Sequence, residues 1–470
     1  MLMNRGEIMD SKVKQFFEEM KGKKIAFCGI GISNLPLIHL FLSKGAIVTA
    51  CDRRKIEELT VADELIAAGA TLKLGENYLD DLDVDIIFRT PGMYFNMQKL
   101  TEYRQRGVVV TSEMEVFFEL CVAKTFAVTG SDGKTTTSTL IAEMLKASGK
   151  TVHLGGNIGR ALLPIIKEID ASDFAVVELS SFQLISMRTG PNVAVVTNVE
   201  PNHLDVHADM AEYIDCKKNL IIHQNAFSRT VLNRDNVVTS AMTGLVRGEL
   251  KMFSRRSPVV SGAFCDELGD IYCVKKSEKV FIMNKSDIRL PGEHNVENYL
   301  AAISAVDGFV SVADIVKVAR EFGGVEHRIE FIRELDGVKY YNDSIATSPT
   351  RTIAGLNAFA QKLIIIAGGY DKKIPFEPLA SVVNEKVKLL VLMGPTADKI
   401  EAAITGYHGY NKEDITILRA ENLEDALRIC KENAKNGDIV SLSPACASFD
   451  CYPNFEARGR HFKELVRELV

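Results

Sequence analysis

The run Thr129-Gly130-Ser131-Asp132-Gly133-Lys134-Thr135-Thr136-Thr137 carries the residue types that hold phosphate. An apolar segment, Thr125-Phe126-Ala127-Val128, precedes it, and Leu140, Ile141 and Leu145 mark a helix after it. Strand, glycine loop, Lys-Thr and helix together suit a nucleoside triphosphate, because backbone N–H groups of the loop and helix start point at phosphate oxygens. Lys134 would reach the outer phosphates, and the Thr135 hydroxyl would sit on Mg²⁺. The loop is short, with only Ser131 and Asp132 between Gly130 and Gly133. The plain alternative is a glycine turn that happens to precede Lys-Thr. Strand and helix, however, both lie where phosphate binding needs them.

A second apolar segment, Asp173 to Leu179, ends in an acid and continues as Ser180-Ser181-Phe182-Gln183. Ligands gather beyond the carboxyl ends of strands in open α/β sheets. Glu178 is therefore placed to bind Mg²⁺ or organise a water, or else to cap the following helix. The next apolar segment runs into Thr197-Asn198-Val199-Glu200-Pro201-Asn202-His203-Leu204-Asp205, which makes His203 a candidate metal or phosphate contact. Asn157, in the turn Gly155-Gly156-Asn157-Ile158-Gly159, is placed to reach a substrate. Near the N-terminus, Gly29-Ile30-Gly31-Ile32-Ser33-Asn34 is a weak dinucleotide signal: Asn34 replaces the third glycine, although Asp52 follows at the spacing of a ribose-binding acid.

These residues need a scaffold of alternating strands and helices. Strands are expected at Lys24–Cys28, at Ala46–Ala50, at Asp85–Phe88 and at Gly107–Val110, with a helix over Leu35–Lys44. A second set covers Thr125–Val128, Ala175–Leu179 and Val193–Thr197. It is followed by a mixed or antiparallel extension over Thr230–Leu290 and a helix over Asn295–Val306. A third set covers Leu363–Ala367, Leu389–Met393, Ile415–Leu418 and Ile439–Leu442, closed by an amphipathic helix over Phe455–Leu469. Such alternation implies parallel sheets wrapped by helices. The fold expected is α/β, with three consecutive α/β domains at 1–112, 113–322 and 323–470 that hold substrates between them and close on them.

The chain has 470 residues, too many for one core. A net charge of −6 argues against general nucleic-acid binding. No apolar run approaches the ~20 residues of a membrane span. The charged stretch Met1 to Lys24 does not resemble a secretory signal. The 9 cysteines are dispersed without a Cys-x-x-Cys pair, as expected of reduced cytoplasmic thiols.

Taken together, the blocks TGSDGKTTT, GGNIG, VELSSFQL, TNVEPNHLDVH, PGEHNVENYLAA, VEHRIE, YNDSIATSPT, IIAGGYDKK and SLSPACASFDCYPNFEARGR resemble the Mur ligase family. These are the ATP-dependent amide-forming enzymes of peptidoglycan synthesis. The N-terminal region and the SPACASFD…NFEARG ending look like the members that add D-glutamate. The resemblance implies a Rossmann-like N-terminal domain, a central P-loop ATPase domain and a Rossmann-like C-terminal domain. It implies a cytoplasmic enzyme acting on UDP-N-acetylmuramoyl-L-alanine and D-glutamate with ATP and Mg²⁺, with no nucleic-acid or membrane partner. A monomer is the default.

Residue by residue, the resemblance assigns Gly130, Ser131, Asp132, Gly133, Lys134, Thr135, Thr136, Asn295, Asn298, Arg328 and Asp343 to ATP. Thr135, Glu178, His203 and Lys217 are assigned to the metal, with Lys217 matching a lysine that is carbamylated. From sequence alone Lys217 reads as a solvated helix lysine. Lys134, Asn157, His203 and Lys217 are the implied catalytic set. Ser33, Asp52, Arg54, Thr90, Pro91, Gly92, Asn157 and Gln183 are assigned to the UDP-sugar, and Thr347, Lys372, Ser448 and Phe455 to D-glutamate. One departure is Ile345, where many relatives carry lysine. Three rival readings fit less well. A member adding L-alanine lacks the SPACASFD block, an NAD-dependent oxidoreductase leaves the phosphate loop idle, and a regulatory or transport ATPase leaves two α/β domains unexplained.

Overall fold

Short apolar runs bounded by turn residues become strands, and the strands form three sheets. The structure, a computed structural model, describes residues 5–31, 33–201, 206–372 and 374–470. The first sheet contains β1 (Lys24–Cys28), β2 (Ile47–Asp52), β3 (Thr71–Leu74), β4 (Ile86–Arg89) and β5 (Val109–Thr111). Its order is β3-β2-β1-β4-β5, with every pairing parallel. The chain reverses direction of winding between β1 and β4, which opens a crevice at their carboxyl ends. β3 was not expected, and β5 begins at Val109 rather than Gly107, whose φ of 86° turns the chain there.

The second sheet contains β6 (Lys124–Thr129), β7 (Val152–Gly156), β8 (Phe174–Glu178), β9 (Val193–Val196), β10 (Arg229–Asn233), β11 (Glu249–Ser254), β12 (Gly262–Cys265), β13 (Asp270–Lys275) and β14 (Glu278–Asn284). Its order is β14-β13-β12-β11-β10-β9-β6-β8-β7. It is parallel from β7 to β12, and β13 and β14 extend it as an antiparallel meander. The expected mixed extension is thus parallel first and antiparallel only at its edge.

The third sheet contains β15 (Glu330–Leu335), β16 (Val338–Asn342), β17 (Leu363–Gly368), β18 (Val387–Met393), β19 (Thr416–Arg419) and β20 (Ile439–Leu442), in the order β15-β16-β20-β17-β18-β19. β15 and β16 form an antiparallel hairpin and the other pairings are parallel. Alternate residues of β17 face two separate cores, Leu363 and Ile365 in one and Ile364 and Ile366 in the other. Helices therefore cover both faces, as the period-2 geometry of a buried parallel strand requires.

The chain divides into two compact units, Met1–Asp287 with Val296–Val318, and Ile288–Asn295 with Ala319–Val470. The first unit holds the first two sheets on a continuous core, which includes Phe27, Phe41, Phe88, Phe117, Leu163 and Val177. A helix over Arg5–Met20, not expected from the sequence, brings Phe16 and Phe17 to within 6.3 and 5.6 Å of the Phe41 ring centroid. Phe27 and Phe88 lie 5.4 and 5.1 Å from the same ring. All nine cysteines are free thiols, and Cys451 is exposed. Among the described residues, no helix is long and apolar enough to cross a membrane.

Phe41 is fully buried at the centre of this aromatic cluster. Phe41→Ala should destabilise the first unit by about 3–5 kcal/mol, the usual cost of emptying a buried phenylalanine site. A urea titration followed by tyrosine fluorescence reads this as an earlier first transition. An unchanged midpoint would mean that the surrounding rings collapse to refill the space.

Candidate active site

β6 lies between β8 and β9, so the loop that leaves it is flanked by the exits of both neighbours. Gly133 sits in the left-handed region at φ 75° and opens the helix Lys134–Ala147. The loop has no spare room. A Cβ on Gly130 would lie 1.8 Å from Thr197 Oγ1, and one on Gly133 would lie 2.3 Å from Asn298 Oδ1. The segment after β9 pins the loop. Ser131 N–H donates to Asn198 O (2.9 Å), Asp132 N–H to Asn198 Oδ1 (2.9 Å) and the Thr197 hydroxyl to Asp132 O (2.6 Å). Lys134 Nζ donates to Gly130 O and Ser131 O at 3.0 and 2.8 Å, tying the helix start to the loop. The first N–H groups of that helix have no intrahelical acceptor and are suited to phosphate oxygens.

Glu178, at the end of β8, is 1% exposed. Its Oε2 accepts from the Thr135 hydroxyl at 2.7 Å and its Oε1 from Asn157 Nδ2 at 2.7 Å. The Asn157 N–H donates to Glu178 O at 2.9 Å. Glu178 does not cap the next helix, because Ser180 does so by accepting the Gln183 N–H. Gln183 is buried, and its Oε1 accepts from both Ser180 N–H and the Ser180 hydroxyl at 2.9 Å. Glu178 and Thr135 put hard oxygen donors at one spot, a set that suits Mg²⁺. Among the described residues, no group of three or more His, Cys, Asp or Glu side chains could hold a metal by itself.

Lys217 is not a solvated helix lysine: on the helix Met210–Ile222 it is 1% exposed. Its Nζ donates to Gly130 O at 2.8 Å and lies 4.5 Å from the centroid of the Tyr213 ring. Burial pushes its pKa down to about 7, nearby Lys134 acts in the same direction, and Cys216 and Asp132 oppose. His203 lies outside the described residues.

In the first sheet, the crevice between β1 and β4 is equally tight. A Cβ on Gly29, at φ 94°, would lie 2.7 Å from Thr90 Cγ2. Asp52 accepts from Ile30 N–H at 2.8 Å and from Arg54 Nη2 at 2.8 Å. Burial raises the Asp52 pKa, but these hydrogen bonds outweigh it and hold the carboxyl below its ordinary range. Asn34 replaces the third glycine because its Nδ2 donates to Cys28 O and Gly29 O at 3.2 and 3.0 Å. Ser33 is half-buried in the same loop, and Met93 N–H closes the Thr90-Pro91-Gly92 turn onto Thr90 O at 3.0 Å.

The second unit gathers residues in the same way. The neighbouring strands β16, β20 and β17 lead to Asp343 and Thr347, to Ser448, and to Lys372 respectively. Lys372 Nζ donates to Thr347 Oγ1 at 3.2 Å, and Tyr370 N–H to Ala447 O at 3.0 Å. Arg458 fastens these loops: Nε donates to Ser344 Oγ (3.0 Å), Nη1 to Ala447 O (3.1 Å), and Nη2 to Ser344 O (2.9 Å) and Cys446 O (3.1 Å). Ser344 in turn donates to the Phe455 carbonyl at 2.8 Å, and Ser448 is buried. Burial pushes the Asp343 pKa up to about 7, against the Ile329 N–H and the charges of Arg328 and Arg351. Arg328 is half-buried between two left-handed residues, His327 and Ile329. Asn295 Nδ2 donates to Pro291 O at 2.6 Å, whereas Asn298 counts with the first unit and accepts from Thr137 Oγ1 at 3.3 Å.

Residues 128–306 match the family model described as Mur ligase middle domain, and residues 327–446 match Mur ligase, glutamate ligase domain. The UDP-N-acetylmuramoylalanine--D-glutamate ligase of Clostridium acetobutylicum is 50% identical over 465 residues, covering 98% of this chain and 100% of that protein. Its counterpart from Acetivibrio thermocellus is 50% identical over 467 residues with the same coverage. The chain belongs to the Mur ligase family. The fold agrees: a solved UDP-N-acetylmuramate-alanine ligase from Thermotoga maritima matches with a TM-score of 0.57 at 18% identity, over 95% of this chain and 99% of that one.

Several residues that organise this Mur ligase were missed in the sequence. Asn198 lies within the TNVEPNHLDVH block, and its place at the exit of the strand beside β6 is the signal for a loop-pinning role. His207 accompanies it, buried, with Nε2 2.8 Å from Ser181 Oγ and its ring stacked 5.1 Å from Phe182. Arg458 lies within the NFEARG ending without a role assigned to it, and Glu113 gave no signal beyond its type. Glu113 Oε1 accepts Leu162 and Leu163 N–H at 2.8 and 2.9 Å, just beyond the turn that carries Asn157.

Burial raises the Glu113 pKa from 4.5 to about 7, against those two backbone hydrogen bonds. The carboxyl is protonated at higher pH in the folded chain than in the unfolded one. Its ionisation therefore destabilises the fold progressively between pH 4.5 and about 7 and by a constant amount above. Glu113→Gln keeps an oxygen acceptor and does not ionise. Its stability relative to the unsubstituted protein should rise across that window by up to about 3 kcal/mol, read from urea midpoints at pH 5 and pH 8. A difference that does not change with pH would refute this.

Proposed function

We propose that this chain is the ATP-dependent ligase that joins D-glutamate to UDP-N-acetylmuramoyl-L-alanine in peptidoglycan precursor synthesis. The observation that carries this reading is the full-length identity to relatives of that name. The site geometry supports it, since a phosphate loop is combined with two further strand-exit clusters able to hold two more substrates. The enzyme works in the cytoplasm as a monomer, with segments 1–112, 113–322 and 323–470 receiving the UDP-sugar, ATP and D-glutamate.

The alanyl carboxylate attacks the γ-phosphorus of ATP, and the bond to the bridging oxygen breaks to release ADP and leave an acyl phosphate. The amine of D-glutamate then attacks the acyl carbon and loses a proton, and the tetrahedral intermediate expels phosphate. Activation is needed because a carboxylate resists nucleophiles. Catalysis is mostly positioning and neutralisation of charge on the transferred phosphoryl group. Lys134 and the N–H groups of Gly133 to Thr136 hold the phosphates, and Arg328 and Asp343 serve the nucleotide from the C-terminal segment with Asn295 and Asn298. Thr135 and Glu178, with His203, would hold Mg²⁺, which would supply a Lewis acid for the phosphate oxygens. Lys217 forms a carbamate by adding its neutral amine to CO₂ with loss of a proton, turning a cation into an anionic oxygen donor. Asn157 and Gln183 orient the sugar end of the substrate, and Ser33, Asp52, Arg54 and Thr90-Pro91-Gly92 receive its UDP. Lys372 with Thr347, Ser448 and Phe455 receives D-glutamate.

The deciding experiment measures ADP release with UDP-N-acetylmuramoyl-L-alanine against a panel of D- and L-amino acids. Release dependent on D-glutamate is expected, and equal use of L-glutamate or release without any acceptor would refute the reading. Lys134→Ala should lower kcat by roughly 10²–10³, as when one preorganised donor is removed from a transition state, with thermal unfolding unchanged. Near-normal turnover would refute the loop assignment. Hydrogen bonds to charged groups contribute about 1.5–3 kcal/mol. Lys372→Ala should therefore raise the KM for D-glutamate about tenfold or more while leaving that for ATP within about twofold. An unchanged D-glutamate KM would move the acceptor site elsewhere.

A further inference from the structure

Arg89 is the last residue of β4 and stands immediately before the Thr90-Pro91-Gly92 turn. It is 1% exposed, so its charge must be met inside the protein. The guanidinium fork reaches in two directions. Nη1 donates to Met93 O at 3.1 Å, across the Thr90-Pro91-Gly92 turn of the first sheet. Nη2 donates to Phe182 O and to Ser186 Oγ, both at 2.8 Å, on the segment that follows Glu178 in the second sheet. Ser186 passes its own proton to Glu115 Oε2 at 2.8 Å, and the same oxygen accepts from the Ser112 hydroxyl at 2.8 Å. Glu115 is the nearby acid that balances the arginine. Among the described residues, nothing accepts from Arg89 Nε.

One rigid, planar cation thus joins two elements from different sheets. On one side is the turn assigned above to UDP. On the other is the helix Ser181–Leu184, which carries Gln183 and follows Glu178, the acid bonded to Asn157. We propose that Arg89 is a positioning residue for the UDP-sugar substrate: it sets the distance between the turn that receives the nucleotide and the elements that receive the reacting sugar end. This rests on the function proposed above. A ligand that touches only the turn is indifferent to that distance, and a ligand that spans both ends is not. ATP and D-glutamate, bound elsewhere, are also indifferent. Lysine cannot replace the arginine, since a single ammonium lacks the fork that reaches Met93 and Phe182 together.

The test compares the unsubstituted enzyme with Arg89→Lys and Ser186→Ala. The KM values for UDP-N-acetylmuramoyl-L-alanine, ATP and D-glutamate are measured, with the affinity for UDP alone from calorimetry. Arg89→Lys should raise the KM for the UDP-sugar about tenfold, equivalent to about 1.4 kcal/mol. UDP affinity and the other two KM values should stay within about twofold. Ser186→Ala, which removes one acceptor and keeps the fork, should shift the same KM alone by a smaller factor. An equal loss of UDP affinity would place the effect within the turn and overturn the proposal. So would a parallel change in all three KM values, or no change in any. Failure of the unsubstituted protein to use D-glutamate would instead refute the function itself.

Discussion

Close approach of backbone at the end of β6 governs this molecule. Gly130 runs against Thr197 and Gly133 against Asn298, with no volume for a side chain at either glycine. That crowding follows from placing β6 between β8 and β9, and it brings Glu178, Asn198 and the phosphate loop together. Two ammonium groups, Lys134 and Lys217, then converge on the single carbonyl of Gly130 at 3.0 and 2.8 Å. Such a concentration of positive charge around a tight loop suits a polyanion, and Lys134 adds to the burial that makes Lys217 carry its proton less firmly than a surface lysine.

The two units each use one structural device. Arg89 in the first unit and Arg458 in the second are both buried, and both donate to backbone carbonyls of segments far apart in sequence. Burial pulls the pKa of each down to about 10, opposed by Glu115 for Arg89 and by Cys446 and Asp450 among the neighbours of Arg458. Each guanidinium ties loops whose sequences are far apart, a task suited to a planar group with several fixed donors.

The parallel strands were legible because short apolar runs bounded by turn residues leave few alternatives, and the glycine loop between β6 and the helix Lys134–Ala147 was legible because its glycines and Lys-Thr stand in a row. The β15–β16 hairpin was also written in the sequence, in Asp336-Gly337, whose φ values of 52° and 75° suit a two-residue hairpin turn. That signal went unused. The β13–β14 turn gave no comparable sign, since Lys276 and Ser277 adopt positive φ without a glycine. The burial of Lys217 was not legible at all. Its helix is polar enough to look solvated, and only the packing of that helix against the loop after β6 encloses the amine.

The residues proposed above to receive D-glutamate follow the exits of β16, β20 and β17, three strands that are neighbours in space but separated in sequence by helices and by whole strands. Thr347, Ser448 and Lys372 therefore follow one edge of the sheet without sharing a loop, and Arg458 is bonded to two of the three segments. A change of amino-acid substrate through single substitutions would leave the remaining loops shaped for the original one. On the function proposed above, acceptor choice belongs to the exits of β16, β17 and β20 as one set, and it is inherited with all three loops together.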